Sequence, residues 1–128
     1  MALRSNQGRT MNFTILLYES PGDLARRSDP AQKADYSAGF LAYTRALKEA
    51  GVFVAGAGLH SPQTGTTLRL AGGKRLVQDG PYADTKEQLG GFYVIDVPSL
   101  DVALDWAARC PTAANGAIEI RAALPAHP

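Results

Sequence analysis

Asn12-Phe13-Thr14-Ile15-Leu16-Leu17-Tyr18 is the run on which the fold turns. Its β-branched and aromatic residues favour extended chain, with Phe13, Ile15 and Leu17 on one face and Thr14, Leu16 and Tyr18 on the other. Both faces are partly apolar, which marks an internal strand covered on two sides. A second run of the same kind, Phe92-Tyr93-Val94-Ile95-Asp96-Val97, predicts another internal strand that starts after Gly91 and stops at Pro98-Ser99. Between and beyond these two strands the pattern changes period, and the order of the changes sets the topology.

After the first strand, Glu19-Ser20-Pro21-Gly22-Asp23 reads as a turn. Asp29 before Pro30, with Gln32 three residues on, predicts a helix start. Tyr36, Phe40, Tyr43, Leu47 and Ala50 then form one helical stripe, and Gly51 ends it. Val52 to Ala55 is a short apolar strand, followed by a flexible run from Gly56 to Pro62. Thr66 to Leu70 and Lys74 to Gln78 flank Ala71-Gly72-Gly73, the signature of a tight hairpin, which Asp79-Gly80-Pro81 closes. Ser99 caps a second helix reaching about Arg109, with Leu100, Ala103, Leu104 and Ala107 expected to face inward and Pro111 beyond its end. Ala117 to Leu124 supplies a last alternating strand. The order is β-α-β, hairpin, β-α-β, which predicts an α+β, ferredoxin-like fold with two helices on one face of an antiparallel sheet.

The chain has 128 residues, enough for one domain with its own core. Thirteen Lys+Arg against twelve Asp+Glu leave a net charge of +1, so no direct nucleic-acid partner and no membrane partner is expected. Cys110 is the single cysteine, which rules out an intramolecular disulfide and a thiolate cluster within one subunit. Residues 1–10 carry Arg4 and Arg9 but no apolar core of a signal peptide, and are expected to be a disordered extension or a remnant of expression. The domain then runs over 11–124, with 125–128 as a tail, and the expected location is the cytoplasm.

Two helices cover only one face of such a sheet. The other face, carrying either Leu16, Tyr18, Tyr93, Ile95 and Val97 or the alternating set Phe13, Ile15, Phe92 and Val94, needs a partner. A two-fold homodimer with the sheets packed face to face is expected, with a cavity near the dimer axis or between sheet and hairpin.

The segment from Asp79 to Tyr93, DGPYADTKEQLGGFY, resembles the DGPF-type branch of the YCII-related proteins, bacterial dimeric α+β barrel proteins. The resemblance extends to LLYE at Leu16–Glu19, AGAGL at Ala55–Leu59, TTLR at Thr66–Arg69, the helix from Ser99 to Pro111 and the closing IEIR, about Met11 to Arg121 in all. Tyr82 stands where the family name has Phe. The resemblance implies a ferredoxin-like dimeric barrel with a loop-lined cavity. Related members that look like enzymes carry a His near the start of the first helix; counting back from Ala46-Leu47-Lys48-Glu49-Ala50-Gly51, that position is Phe40 here, so His-based catalysis does not carry over. DGPF-type proteins also commonly accompany extracytoplasmic-function sigma factors, which implies a regulatory partner as an alternative.

Among polar residues, His60 and Asp79 form the sharpest catalytic pair, since a carboxylate can orient an imidazole that titrates near neutrality; the plainer reading is a loop histidine and a turn aspartate. Lys86, beside two glycines and an aromatic strand, and Arg69 on the hairpin are candidate anchors for an anionic group, or simply solvated. Asp84 and Glu87 have the spacing to cap one helical turn. Tyr18 and Glu19 end the first strand at the mouth of the barrel, where Glu19 can act as a base, and Tyr93 joins them as a substrate-binding candidate. The glycines at 56, 58, 90 and 91 do not form a dinucleotide fingerprint. Two histidines, His60 and His127, do not make a multi-His metal site. No cofactor and no metal are expected. The sequence therefore points to a small cofactor-independent homodimer that binds a small organic molecule, anionic or aromatic, with His60, Asp79 or Lys86 expected to move a proton on it. The alternative is a noncatalytic regulatory or ligand-binding module acting with an extracytoplasmic-function sigma factor in transcription.

Overall fold

The computed structural model describes residues 10–125. Of the expected extension at 1–10 only Thr10 falls within this range; residues 126–128 of the tail lie outside it. Ten elements of sheet and helix follow in order. They are β1 (Met11–Glu19), α1 (Pro21–Ser28), α2 (Lys33–Glu49), β2 (Phe53–Gly58), β3 (Thr66–Ala71), β4 (Lys74–Asp79), β5 (Gln88–Val97), α3 (Leu100–Ala108), α4 (Thr112–Asn115) and β6 (Ala117–Ala122). Strands β2, β5, β1 and β6 form one sheet in that order, every pairing antiparallel, and β3 and β4 form a separate hairpin. This is the α+β, ferredoxin-like arrangement with an inserted hairpin.

The alternation along β1 sets the core. Phe13, Ile15 and Leu17 are buried under the helices together with Tyr93, Ile95 and Val97 of β5, while Leu16, Tyr18, Phe92 and Val94 are half-buried on the opposite face. Leu16 lies across from Phe92 and Thr14 across from Val94, so the open face is neither of the two expected sets: the antiparallel register puts Phe92 and Val94, not Tyr93, Ile95 and Val97, beside Leu16 and Tyr18, in a largely apolar strip. The Glu119–Arg121 ion pair, at 2.7 Å, flanks it on β6. Tyr36, Tyr43 and Leu47 of α2 supply the buried helix stripe, and the Tyr43 hydroxyl donates to the Trp106 carbonyl at 2.8 Å, tying α2 to α3.

Several local features differ from the expectation, each for a physical reason. Ser20-Pro21-Gly22-Asp23 starts a helix rather than a turn: the Ser20 hydroxyl accepts from the Asp23 N–H at 3.1 Å, and Pro21 occupies the first turn, where its missing N–H costs nothing. Asp29 ends α1 and holds the turn before α2, accepting from the Ala31 N–H at 3.0 Å and from the Gln32 side chain at 2.6 Å. The glycines of Gly56-Ala57-Gly58 belong to β2, which pairs along β5. The 84–87 segment forms no helical turn; Gln88 holds it by donating to the carbonyls of Ala83 and Thr85. In α3, Ala103 and Ala107 are buried, but Leu100 and Leu104 are about half exposed; Val102 and Trp106 pack inward instead. The hairpin turn is as expected, with Gly72 and Gly73 at φ of 58° and 79°, a geometry that glycine adopts without strain.

Candidate functional site

Glu19 ends β1 on the helix side of the sheet, and the chain's next two turns are wrapped around it. The Glu19 residue is 3% exposed. Arg27, two turns along α1, donates from Nη1 to Glu19 Oε1 at 2.7 Å, and the Tyr36 hydroxyl of α2 donates to Oε2. Arg27 Nη2 also donates to the Leu59 carbonyl just past β2. One guanidinium therefore links the end of β1, helix α1 and the exit of β2.

The room for Glu19 comes from β5. Its pairing with β1 slips between Leu17 and Tyr18: Leu17 faces Gly91 and Tyr18 faces Leu89, which leaves Gly90 as a bulge. A Cβ on Gly90 would sit 1.6 Å from Glu19 Oε1 and 2.4 Å from Cδ. Gly56 plays the same part for Tyr93, whose ring carbon Cδ1 would lie 2.8 Å from a Cβ there. Two glycines thus let one carboxylate and one phenol lie flat against the sheet.

Above these groups is a cavity of about 560 Å³, between α2 and the β2–β5 end of the sheet, within the usual size of small-molecule sites. Leu17, Phe40, Leu41 and Phe53 give it apolar walls, and Glu19, Arg27, Tyr36 and the Thr44–Tyr93 hydroxyl pair, 2.7 Å apart, give it polar points. The helix-side position differs from the expected location between sheets or beside the hairpin; Gly56, Gly58, Gly90 and Gly91 leave space on this face instead. Burial and the adjoining Glu19 carboxylate push the Tyr36 hydroxyl far above the ordinary phenol range, and burial raises Tyr43 and Tyr93 as well. All three stay protonated at neutral pH, so Tyr36 is a donor to Glu19.

A model of the YCII-related domain matches residues 11–126. The chain belongs to the YCII-related family. It is also 45% identical over 82 residues to an uncharacterised protein of Rhizobium meliloti (strain 1021); the alignment takes in 62% of this chain and spans just under two thirds, 66%, of that relative.

In this YCII-related protein Phe40, the position to which a family histidine was assigned, lines the cavity as an apolar wall. Of the residues singled out from sequence, the structure brings Glu19 and Tyr93 together there. Tyr18 lies on the open sheet face, its hydroxyl 3.4 Å from Glu119. Arg69 stacks over the Tyr82 ring at 5.1 Å and donates to its hydroxyl on the exposed hairpin side. Lys86 is exposed. His60 and Asp79 are both exposed, and among the described residues no carboxylate oxygen comes within 4.0 Å of a His60 ring nitrogen. Sequence reasoning missed Arg27 and Tyr36. The Ser-Pro-x-Asp start of a helix directly after Glu19 was the signal that places Arg27 on the carboxylate's side. Among the described residues no cluster of three His, Cys, Asp or Glu is able to hold a metal, and no helix is long and apolar enough to cross a membrane.

The raised phenols carry a pH consequence. Each has a higher proton affinity folded than unfolded, so its contribution is intact below the unfolded value near pH 10 and is lost as pH rises beyond it. Stability should fall above about pH 10, by up to about 1.4 kcal/mol per pH unit for each of Tyr36 and Tyr43, with a smaller contribution of the same sign from Tyr93. Urea midpoints measured alongside phenolate absorbance check this: of the five tyrosines, Tyr36 and Tyr43 should ionise only as the chain unfolds. Early, reversible ionisation of all five in the folded protein would contradict it.

Proposed function

We propose that this chain is a DGPF-type YCII-related protein that works as a cytoplasmic homodimer. It binds a small organic molecule in the cavity over β2 and β5, and moves a proton on it with Glu19 as base and without a cofactor. The observation that carries this reading is a buried carboxylate on the wall of an otherwise apolar cavity, held by a guanidinium on one oxygen and a phenol on the other. An ion pair in such a place adds little net stability, because the desolvation cost cancels most of the attraction. Arg27 and Tyr36 fix the direction of the carboxylate, and each Glu19 oxygen keeps a second lone pair for the ligand. Glu19 takes a proton from a C–H or O–H of the bound molecule and returns it to another atom of the same molecule, so no electron acceptor is required. The dimer reading rests on the apolar strip of Leu16, Phe92 and Val94 on the sheet face without helices.

Solvent-deuterium exchange tests the chemistry. In a panel of small ketones and phenols incubated in deuterated water, the wild-type protein should accelerate exchange for at least one member. Glu19→Gln, which keeps the shape but is no base, should slow it about a hundredfold or more. Exchange at the wild-type rate in Glu19→Gln removes Glu19 from the role. A wild-type protein that binds panel members yet exchanges none of them favours the noncatalytic ligand-binding alternative.

A further inference from the structure

Taking the cavity to be a ligand site, we propose that it selects an uncharged molecule with an apolar body and a hydrogen-bond donor directed at Glu19, and turns away carboxylates and phosphates. The argument is one of charge balance. The cavity lining contains one carboxylate, Glu19, and one guanidinium, Arg27, and these are already paired at 2.7 Å. Behind them, the buried Asp23 and the partly exposed Arg26 form a second, looser pair at 3.7 Å, with the Arg26 guanidinium 5.1 Å from the centre of the Tyr36 ring. An anion entering this space meets no uncompensated cation. It would crowd a second negative group around Arg27 while losing its own hydration, a cost that a formally neutral, apolar site does not repay. Lys86, the lysine expected to anchor an anion, is exposed and is not part of the lining.

The hydrogen-bonding inventory gives the ligand's polarity. At the Glu19 end the free positions are carboxylate lone pairs, which call for a donor on the ligand. At the other end, Thr44 and Tyr93 share one hydrogen bond between two hydroxyls, so whichever donates, the other keeps its hydrogen for an acceptor. Phe40, on α2 one turn from both Tyr36 and Thr44, lies between the two, and Phe53 extends the apolar wall beyond Tyr93; both suit a flat apolar body. A hydroxyl- or N–H-bearing ring compound with an acceptor at its far side meets all three requirements.

The test uses three probes matched in ring and position of substitution: naphthylmethanol, methylnaphthalene and naphthoate. Dissociation constants are measured by calorimetry on the wild-type protein at neutral pH, with binding located by amide shifts at Gly56 and Gly91. The alcohol should bind about tenfold or more tighter than the carboxylate. In Glu19→Gln that preference should shrink to within about threefold or reverse, because the amide donates to a carboxylate and Arg27 loses its counter-charge. Naphthoate binding in the cavity as tightly as the alcohol overturns the charge selection and leaves the cavity as a ligand site. Methylnaphthalene binding there without the alcohol overturns the role of Glu19 as acceptor. Absence of cavity binding by all three overturns the selection together with the reading of the cavity on which it rests.

Discussion

Gly90→Ala is expected to cost about 2–4 kcal/mol of stability and to displace Glu19 from the cavity. The backbone at Gly90 is not in the left-handed region, where a side chain is strained; the obstacle is Glu19 itself, whose Oε1 would lie 1.6 Å from the new methyl. A glutamate on the surface would swing aside at little expense. Here the carboxylate has to leave Arg27 and Tyr36 behind, and the departing charge, the guanidinium and the phenol each lose a partner in a mostly buried setting. A double-mutant cycle separates this from a general loss of sheet packing. With Glu19→Ala already in place, adding Gly90→Ala should cost less than about 1 kcal/mol, because the clashing atoms are gone. Equal penalties in both backgrounds, read from urea unfolding, would show that Gly90 is needed for something other than the carboxylate.

Phe92→Asp is expected to turn the proposed homodimer into a folded monomer. Phe92 is half-buried on the open sheet face and lies across from Leu16, so the folded subunit tolerates a charge there. In a two-fold interface each substitution occurs twice and on the same axis-related surface, where the two new carboxylates are desolvated and repel each other. The dissociation constant should rise about a thousandfold or more. Sedimentation with circular dichroism distinguishes the outcomes: a dimer that persists in Phe92→Asp places the contact elsewhere, and a wild-type protein already monomeric at micromolar concentration removes the dimer altogether.

The architecture was legible where one physical signal dominated. Alternation separated the two faces within β1 and within β5, Gly72-Gly73 fixed the hairpin, and Ser99 fixed the start of α3, its hydroxyl accepting from the Val102 N–H at 3.2 Å; which face of β1 joins which face of β5 depends on the pairing register, which alternation within each strand does not reveal. Competing signals explain the rest. Pro21-Gly22 masked a capped helix, and a glycine-rich run without alternation hid the second half of β2. In α3 two overlapping stripes share Ala103 and Ala107; the set with Val102 and Trp106 packs inward, and Leu100 and Leu104 are left outside. For the site, Glu19 and Tyr93 were within reach because both lie on strands whose positions are readable. Arg27 and Tyr36 meet Glu19 only after α1 and α2 have folded back over the sheet. The need for Gly90 appears only when the bulge places it under the carboxylate.

Amide chemical-shift mapping of the wild-type protein with a bound small molecule tests the central claim, that the helix-side cavity at Glu19 is where ligands go. The account predicts the largest changes at Gly56, Ala57, Gly90 and Gly91, with smaller ones at Thr14, Leu16 and Val94. The reverse pattern, with shifts concentrated on the open sheet face and Gly90 and Gly91 undisturbed, would contradict it.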